Sequence, residues 1–182
     1  DLQTEWSTPD FDIMDSIRLV FSDGQKLVGY IEVWDIDNPP VHPTIWGRVH
    51  PDYTRHGIGH FLMIWAEKRA KKAILRCPND VRVAYQCGCD EHHIGTQKLF
   101  EVMGLHYHRD SWDMEITLTQ EPPIITPSDE FRIRDYQHPD EFREVILANE
   151  EAFEDHFGYV KKTPEQHLEQ WKHLIETDPY FD

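Results

Sequence analysis

Hydrophobic positions along this chain change period, and each change marks an element. Residues 16–22 (SIRLVFS) and 27–36 (LVGYIEVWDI) are rich in β-branched and aromatic residues, and Asp23-Gly24 between them is a hairpin signal. A loop broken by Pro39, Pro40 and Pro43 leads to a third short strand, 44–49 (TIWGRV). Together these predict an antiparallel meander. From Gly57 to Ile74 the apolar residues Ile58, Phe61, Leu62, Trp65, Ala66, Ala70 and Ala73 fall at helical spacing. Glu67, Lys68, Arg69, Lys71 and Lys72 take the opposite, solvent-facing side. Pro78-Asn79-Asp80 stops that helix, 81–85 (VRVAY) predicts a strand, 95–103 a short helix ended by Gly104, and 105–118 a strand again.

Three prolines then mark 121–130 as a linker, and the pattern restarts. Residues 131–135 alternate as a strand. A helix is expected from Pro139 to Phe153, with Phe142, Val145, Ile146, Asn149 and Phe153 inward. Another runs from Pro164 to Ile175, with Leu168, Trp171 and Ile175 inward. Pro9-Asp10-Phe11-Asp12 is echoed by Pro179-Tyr180-Phe181-Asp182, and Leu2 with Trp6 by Leu168 with Trp171. The echo predicts a tandem repeat cut at equivalent points. Residues 1–120 would be a first unit lacking its opening strand and helices, and 131–182 those same elements of a second.

The chain of 182 residues carries 34 acidic against 18 basic residues, a formal charge of -16. That balance disfavours a nucleic-acid partner, whose phosphates need Lys and Arg. It favours cationic substrates such as amines, and equally serves plain solubility. No apolar run is long enough to span a bilayer, the start is acidic and polar rather than signal-like, and membrane is not an expected partner. Opening on Asp1 rather than Met is the expectation for a piece trimmed from a longer protein. Three cysteines, an odd number, do not make a disulfide framework, so the expected location is cytoplasmic.

The chemistry centres on Thr54-Arg55-His56-Gly57-Ile58-Gly59, where a strand exit meets a helix start. A helix N-terminus offers unpaired N–H groups and partial positive charge, and small residues let an anion approach them. Amides from Arg55 to His60 could cradle a diphosphate. A lone Gly-x-Gly is also read as a plain tight turn. A Rossmann site is disfavoured because Leu62 stands where a third Gly belongs. No G-x-x-x-x-G-K-[ST] is present, which excludes a P-loop.

Val49-x-Pro51-x-Tyr53, then Gly57-Ile58-Gly59 and Leu62, resembles the acetyl-CoA motif of the GNAT superfamily, V-x-P-x-[YF] followed by [QR]-x-x-G-x-[GA]. Thr54 takes the usual Gln/Arg position, with Arg55 beside it. Leu99 to Leu105 (LFEVMGL) resembles the family's L-Y-x-x-x-G-F. The resemblance covers roughly residues 16–118, with 131–182 similar to the opening of a second copy, as in tandem members. It implies an α+β (α/β) fold, a mixed and mostly antiparallel sheet flanked by helices and split by a coenzyme A cleft. It implies acetyl-CoA as co-substrate, held by Arg48, Val49, Thr54, Arg55, His56, Gly57, Ile58, Gly59 and His60. The pantetheine arm would pair with Arg48 and Val49 in a splay between 44–49 and 81–85. The Val49 N–H would face the oxyanion during acetyl transfer to a small-molecule amine.

Acid and base are less defined. Phe100 stands where the family often has Tyr, so that proton donor is missing, and 44–49 carries no Glu. Glu32 reads first as a solvent-facing strand carboxylate and second as a base acting through water. His42 reads first as a loop residue and second as a titrating group; His50 reads first as a turn residue. Tyr107 is a further acid candidate. Cys87-Gly-Cys89-Asp-Glu-His92-His93 matches no common zinc spacing, so the expectation is loop thiols and no metal. Trp34, Trp46 and Trp65 read as core. The alternative to an enzyme is a catalytically weak half that binds acetyl-CoA or only supports its partner. Without its own opening strand, the edge at 16–22 would be exposed, which makes a domain-swapped homodimer an expected assembly.

Overall fold

A computed structural model describes residues 5–8, 10–137, 139–156, 159 and 161–177. Pro9, Leu2 and residues 179–182 lie outside them, so the echo between the chain ends does too. The meander is present. A one-turn helix α1 (Ile13–Ser16), capped by the Asp12 carboxylate, feeds β1 (Ile17–Phe21), β2 (Leu27–Trp34) and β3 (Thr44–Val49). Both pairings are antiparallel; Glu32 faces Ile17 on one side and Trp46 on the other. A short 3-10 turn, Pro51–Tyr53, leads into α2 (Ile58–Ala70), and the predicted helix tightens to 3-10 over Lys71–Arg76.

One sheet face carries the core. Ile31, Val33 and Ile45 pack against Leu62, Met63, Ala66 and Ala70 of α2, with Val49, Ile58, Cys87, Leu99 and Phe100 around them. This is the expected use of a helix stripe at 3.6 spacing against a strand stripe at spacing two. The mixed, mostly antiparallel sheet flanked by helices is the expected α+β arrangement.

Three expected strands differ. Residues 81–85 make no ladder, though the Ala84 N–H donates to the Val41 carbonyl at 3.0 Å; β4 is instead Gln86–Cys87, parallel to Thr44 and Ile45 of β3. Residues 105–118 and 131–135 form no strand and are unpaired in the sheet among the described residues; Leu105 packs on the core margin and the rest are exposed. Alternation of apolar side chains gives a strand its faces, but only a neighbouring backbone makes it a strand. The helices were legible: α3 (Ile94–Val102), stopped by Gly104 at φ 79°, α4 (Phe142–Ala152) and α5 (Pro164–Thr177). On α4 only Ile146 is buried, while Val145 and Phe153 remain about half exposed. His167 of α5 pairs with Glu150 of α4 at 2.9 Å. Lys162, just ahead of α5, reaches Asp37 beyond β2 at 3.2 Å, a tie within one chain.

Arg69 is the largest departure from the sequence reading. Expected on the solvent side of α2, it is buried. Its guanidinium donates to both Asp35 oxygens, to Ser16 Oγ and to the Asp15 carbonyl. Arg76 also pairs with Asp35. A buried guanidinium is stable because its planar donors are matched one by one.

Candidate functional site

Two features meet at the end of β3: an open strand edge and a bared helix start. The edge follows from hydrogen-bond phase. His50 N–H donates to the Val28 carbonyl at 2.8 Å, so Arg48 pairs with Tyr30 and Trp46 with Glu32 through ladder bonds. Antiparallel ladders alternate, so the N–H and C=O groups of Gly47 and Val49 turn away from β2, toward the β4 side. β4 pairs only with Thr44 and Ile45. Beyond Ile45 the two parallel strands part, and Gly47 and Val49 face the gap. This splay was expected against 81–85; it opens beside Gln86–Cys87 instead.

Arg48 lies over that edge. Its Nη1 donates to the Gly47 carbonyl at 2.9 Å, and its guanidinium sits 3.7 Å from the centre of the Trp46 ring. Trp46, read as core, is 41% exposed. Trp34 and Trp65 are half-buried, the first stacked on Phe11.

The helix start is bared by backbone conformation. Arg55 has φ 63° and Gly57 φ 82°, both left-handed, and Gly57 is the N-cap of α2. The first α2 bond recorded at this end runs from Phe61 N–H to the Gly57 carbonyl at 3.0 Å. The first amides of a helix have no intrahelical carbonyl to donate to, so those at the start of α2 are available to a ligand. Left-handed residues near a helix start turn successive N–H groups into one concavity, an anion nest. A Cβ on Gly57 would meet nothing within 4 Å, so that approach is open.

Gly59 works differently from the sequence reading. A Cβ there would lie 3.2 Å from Leu99 of α3 and 3.9 Å from Val49. Its smallness lets α2, α3 and β3 close together rather than admit a phosphate. Ile58 likewise packs on the core, while His60 is exposed. Thr54 ends the 3-10 turn, its Oγ1 donating to the Pro51 carbonyl at 3.0 Å. The His56 ring lies 2.8 Å from the Thr54 carbonyl. His50 is the turn residue it was read as: its Nδ1 accepts the Asp52 N–H.

The other candidates separate. Arg48 to His60 run continuously from the end of β3 through the 3-10 turn into α2, the rim of the candidate site, with Ile58 and Gly59 taken up by packing. His42 precedes β3 and so lies at the opposite end of that strand, roughly 20 Å from the rim by strand rise. Glu32 is not solvent-facing: it is 3% exposed, one strand in from the open edge, and accepts a 2.7 Å hydrogen bond from Trp6 Nε1. A strand carboxylate reads as exposed from sequence because its cover comes from a residue 26 positions away. Tyr107 is exposed, its hydroxyl bonded to Asp110, which pushes its pKa up. Burial, with the charge of Cys89 adding, pushes the Cys87 thiol up to about 12. Cys87 belongs to the core margin, and among the described residues no group of three or more His, Cys, Asp or Glu is placed to hold a metal ion. Sequence reading missed Trp6 and Lys26; both act through partners more than 20 residues distant, which leaves no local signal.

The acetyltransferase (GNAT) family profile matches residues 1–105. A GCN5-related N-acetyltransferase from Sphaerobacter thermophilus is similar in structure, with a TM-score of 0.75 at 24% identity, over 97% of this chain and 52% of that one. The chain thus spans about half the length of that structure, and at this identity the likeness is one of fold. A ribosomal-protein-alanine N-acetyltransferase from Brucella melitensis biovar Abortus 2308 gives a TM-score of 0.42 at 16% identity, over 55% of this chain and 70% of that one. No curated protein matches the chain.

Proposed function

Since the chain belongs to the acetyltransferase (GNAT) family, we propose that it binds acetyl-CoA at the α2 N-terminus and passes the acetyl group to a small-molecule amine. The observation that carries this reading is the nest: Arg55 and Gly57, both left-handed, at the start of α2 beside the gap between β3 and β4. The pyrophosphate would take the amides of residues 55–60, with Thr54 and Gly57 leaving the approach clear. The pantetheine arm would run along Gly47 to Val49, displacing Arg48 from the Gly47 carbonyl. In the transfer the amine nitrogen attacks the thioester carbon, the C–N bond forms, the C–S bond breaks, and the proton lost by the amine ends on the sulfur. The Val49 N–H is turned toward the gap, where an oxyanion would need a donor. The charge of -16 supports a cationic acceptor, and three free thiols support a reducing, cytoplasmic setting.

Two observations favour a second reading, a half that binds acetyl-CoA without turning it over. Glu32 is sealed beneath Trp6, and Phe100 supplies no proton. The tandem arrangement belongs to the same proposal, with a first unit over 1–120, a linker over 121–130 and a second over 131–182. Its support is that nearly the whole chain superposes on about half of a longer acetyltransferase. A swapped homodimer would use the same elements, with the Lys162–Asp37 pair formed between copies.

Thermal shift with acetyl-CoA, followed by thiol release over a panel of amines, separates the readings. The enzyme reading expects a raised Tm and amine-dependent thiol release; Glu32→Gln then lowers kcat. A raised Tm without thiol release favours the binding half. No shift at saturating acetyl-CoA contradicts both.

A further inference from the structure

Lys26 and His50 converge at the same end of the sheet as the nest, and the transfer chemistry uses neither. The Lys26 carbonyl accepts the Ser22 N–H at 2.9 Å, which closes the β1–β2 turn. Register places Gly29 opposite Val49, so this turn and the exit of β3 are neighbours. The His50 ring is fixed because its Nδ1 accepts the Asp52 N–H at 3.2 Å. A neutral imidazole whose Nδ1 accepts carries its proton on Nε2. Lys26 Nζ lies 3.1 Å from that Nε2.

An ammonium has three protons and no lone pair, so donor faces donor. Tyr53 fixes the pair from below: its ring centre is 5.7 Å from the ammonium and 5.6 Å, edge-on, from the imidazole. The Asp52 carboxylate stands 3.9 Å from Nδ1, the other ring nitrogen, and is itself largely exposed. Two donor groups held side by side in a chain of charge -16 attract an anion that can bridge them.

We propose that Lys26 and His50 bind a phosphate monoester, the 3′-phosphate on the adenosine of coenzyme A. This rests on the acetyl-CoA reading above. There the pyrophosphate lies at residues 55–60, and Tyr53, which carries the Lys26 ammonium over its ring, is two residues ahead of the nest. One ribose joins the two phosphate groups, so a ligand seated in the nest carries its second anion on a short tether. Lys26 and the Nε2–H of His50 each donate a charge-assisted bond to it.

The test compares acetyl-CoA with acetyl-dephospho-CoA, which lacks only this phosphate, by titration calorimetry. The parent is expected to bind acetyl-CoA about tenfold more tightly, the scale of a hydrogen bond to a charged group. Lys26→Met keeps the stem and removes the charge; it should erase the preference and leave dephospho-donor affinity unchanged. Equal parental affinity for both donors, or an equal loss for both in Lys26→Met, overturns the proposal. Adenosine 3′,5′-bisphosphate against adenosine 5′-monophosphate repeats the comparison without a thioester. If acetyl-CoA fails to bind while the bisphosphate still prefers the parent over Lys26→Met, the donor reading falls and the phosphate site stands. If none of these ligands binds, both fall.

Discussion

Gly57 holds φ 82° at a point where a Cβ would meet no other atom, so its role is conformational rather than steric. Ala there must adopt a left-handed backbone, at about 1 kcal/mol, with no compensating contact. Gly57→Ala is therefore expected to lower stability in urea by about that amount. It should also weaken acetyl-CoA binding, because relaxing the backbone turns the nest amides aside. Unchanged affinity at reduced stability would assign Gly57 to the turn alone. Gly59 contrasts with it: its constraint is Leu99, so Gly59 concerns how α2 meets α3. Both glycines stand in one motif, and the sequence shows their spacing but not this division of labour. Glu32 and Arg69 were misread for a related reason. A charged residue on a strand or helix reads as surface unless its cover is visible, and Trp6 and Asp35 lie 26 and 34 positions away.

Among the elements, α2 links the sheet to the site, and Arg69 fixes its far end. The guanidinium joins the start of β1 through Ser16 and Asp15 to the end of β2 through Asp35. Removing it leaves the Asp35 carboxylate buried beside only the half-exposed Arg76. Arg69→Met is expected to cost roughly 3–5 kcal/mol in urea unfolding, and adding Asp35→Leu should recover much of that. A cost below about 1 kcal/mol, or no recovery, would contradict the network. Asp15 adds a pH dependence. The Lys72 hydrogen bond, with Arg69 and Lys72 charges, holds its carboxyl below the usual carboxylate value, against the smaller effect of burial. Its stabilisation is complete above the unfolded value and is lost as pH falls through the lowered folded one. The meander, α2, α3 and α5 were legible because periodicity alone specifies them. Residues 81–85, 105–118 and 131–135 have strand alternation, yet pairing depends on a neighbour the pattern does not name.

At the scale of the molecule, a strongly acidic chain keeps backbone amides, Arg48, Arg55, Lys26 and His50 at one end of its sheet. On the proposed reading, backbone dipoles at the start of α2 would add to these few basic groups in holding a pyrophosphate. No helix among the described residues is long and apolar enough to cross a membrane. The acetyltransferase family and its fold were legible in the motif from Val49 to Leu62. The sealing of Glu32 beneath Trp6 was not legible, because the two residues come from separate elements 26 positions apart. Function at this end of the sheet turns on whether the amides at the start of α2 hold a ligand's phosphates. Amide chemical shifts of ¹⁵N-labelled protein, followed during titration with acetyl-CoA, read this residue by residue. Saturable shifts largest at Arg55 to His60, with smaller ones along Gly47 to Val49, are the predicted result. Saturable shifts elsewhere with residues 55–60 unmoved, or no shifts at all, would contradict it.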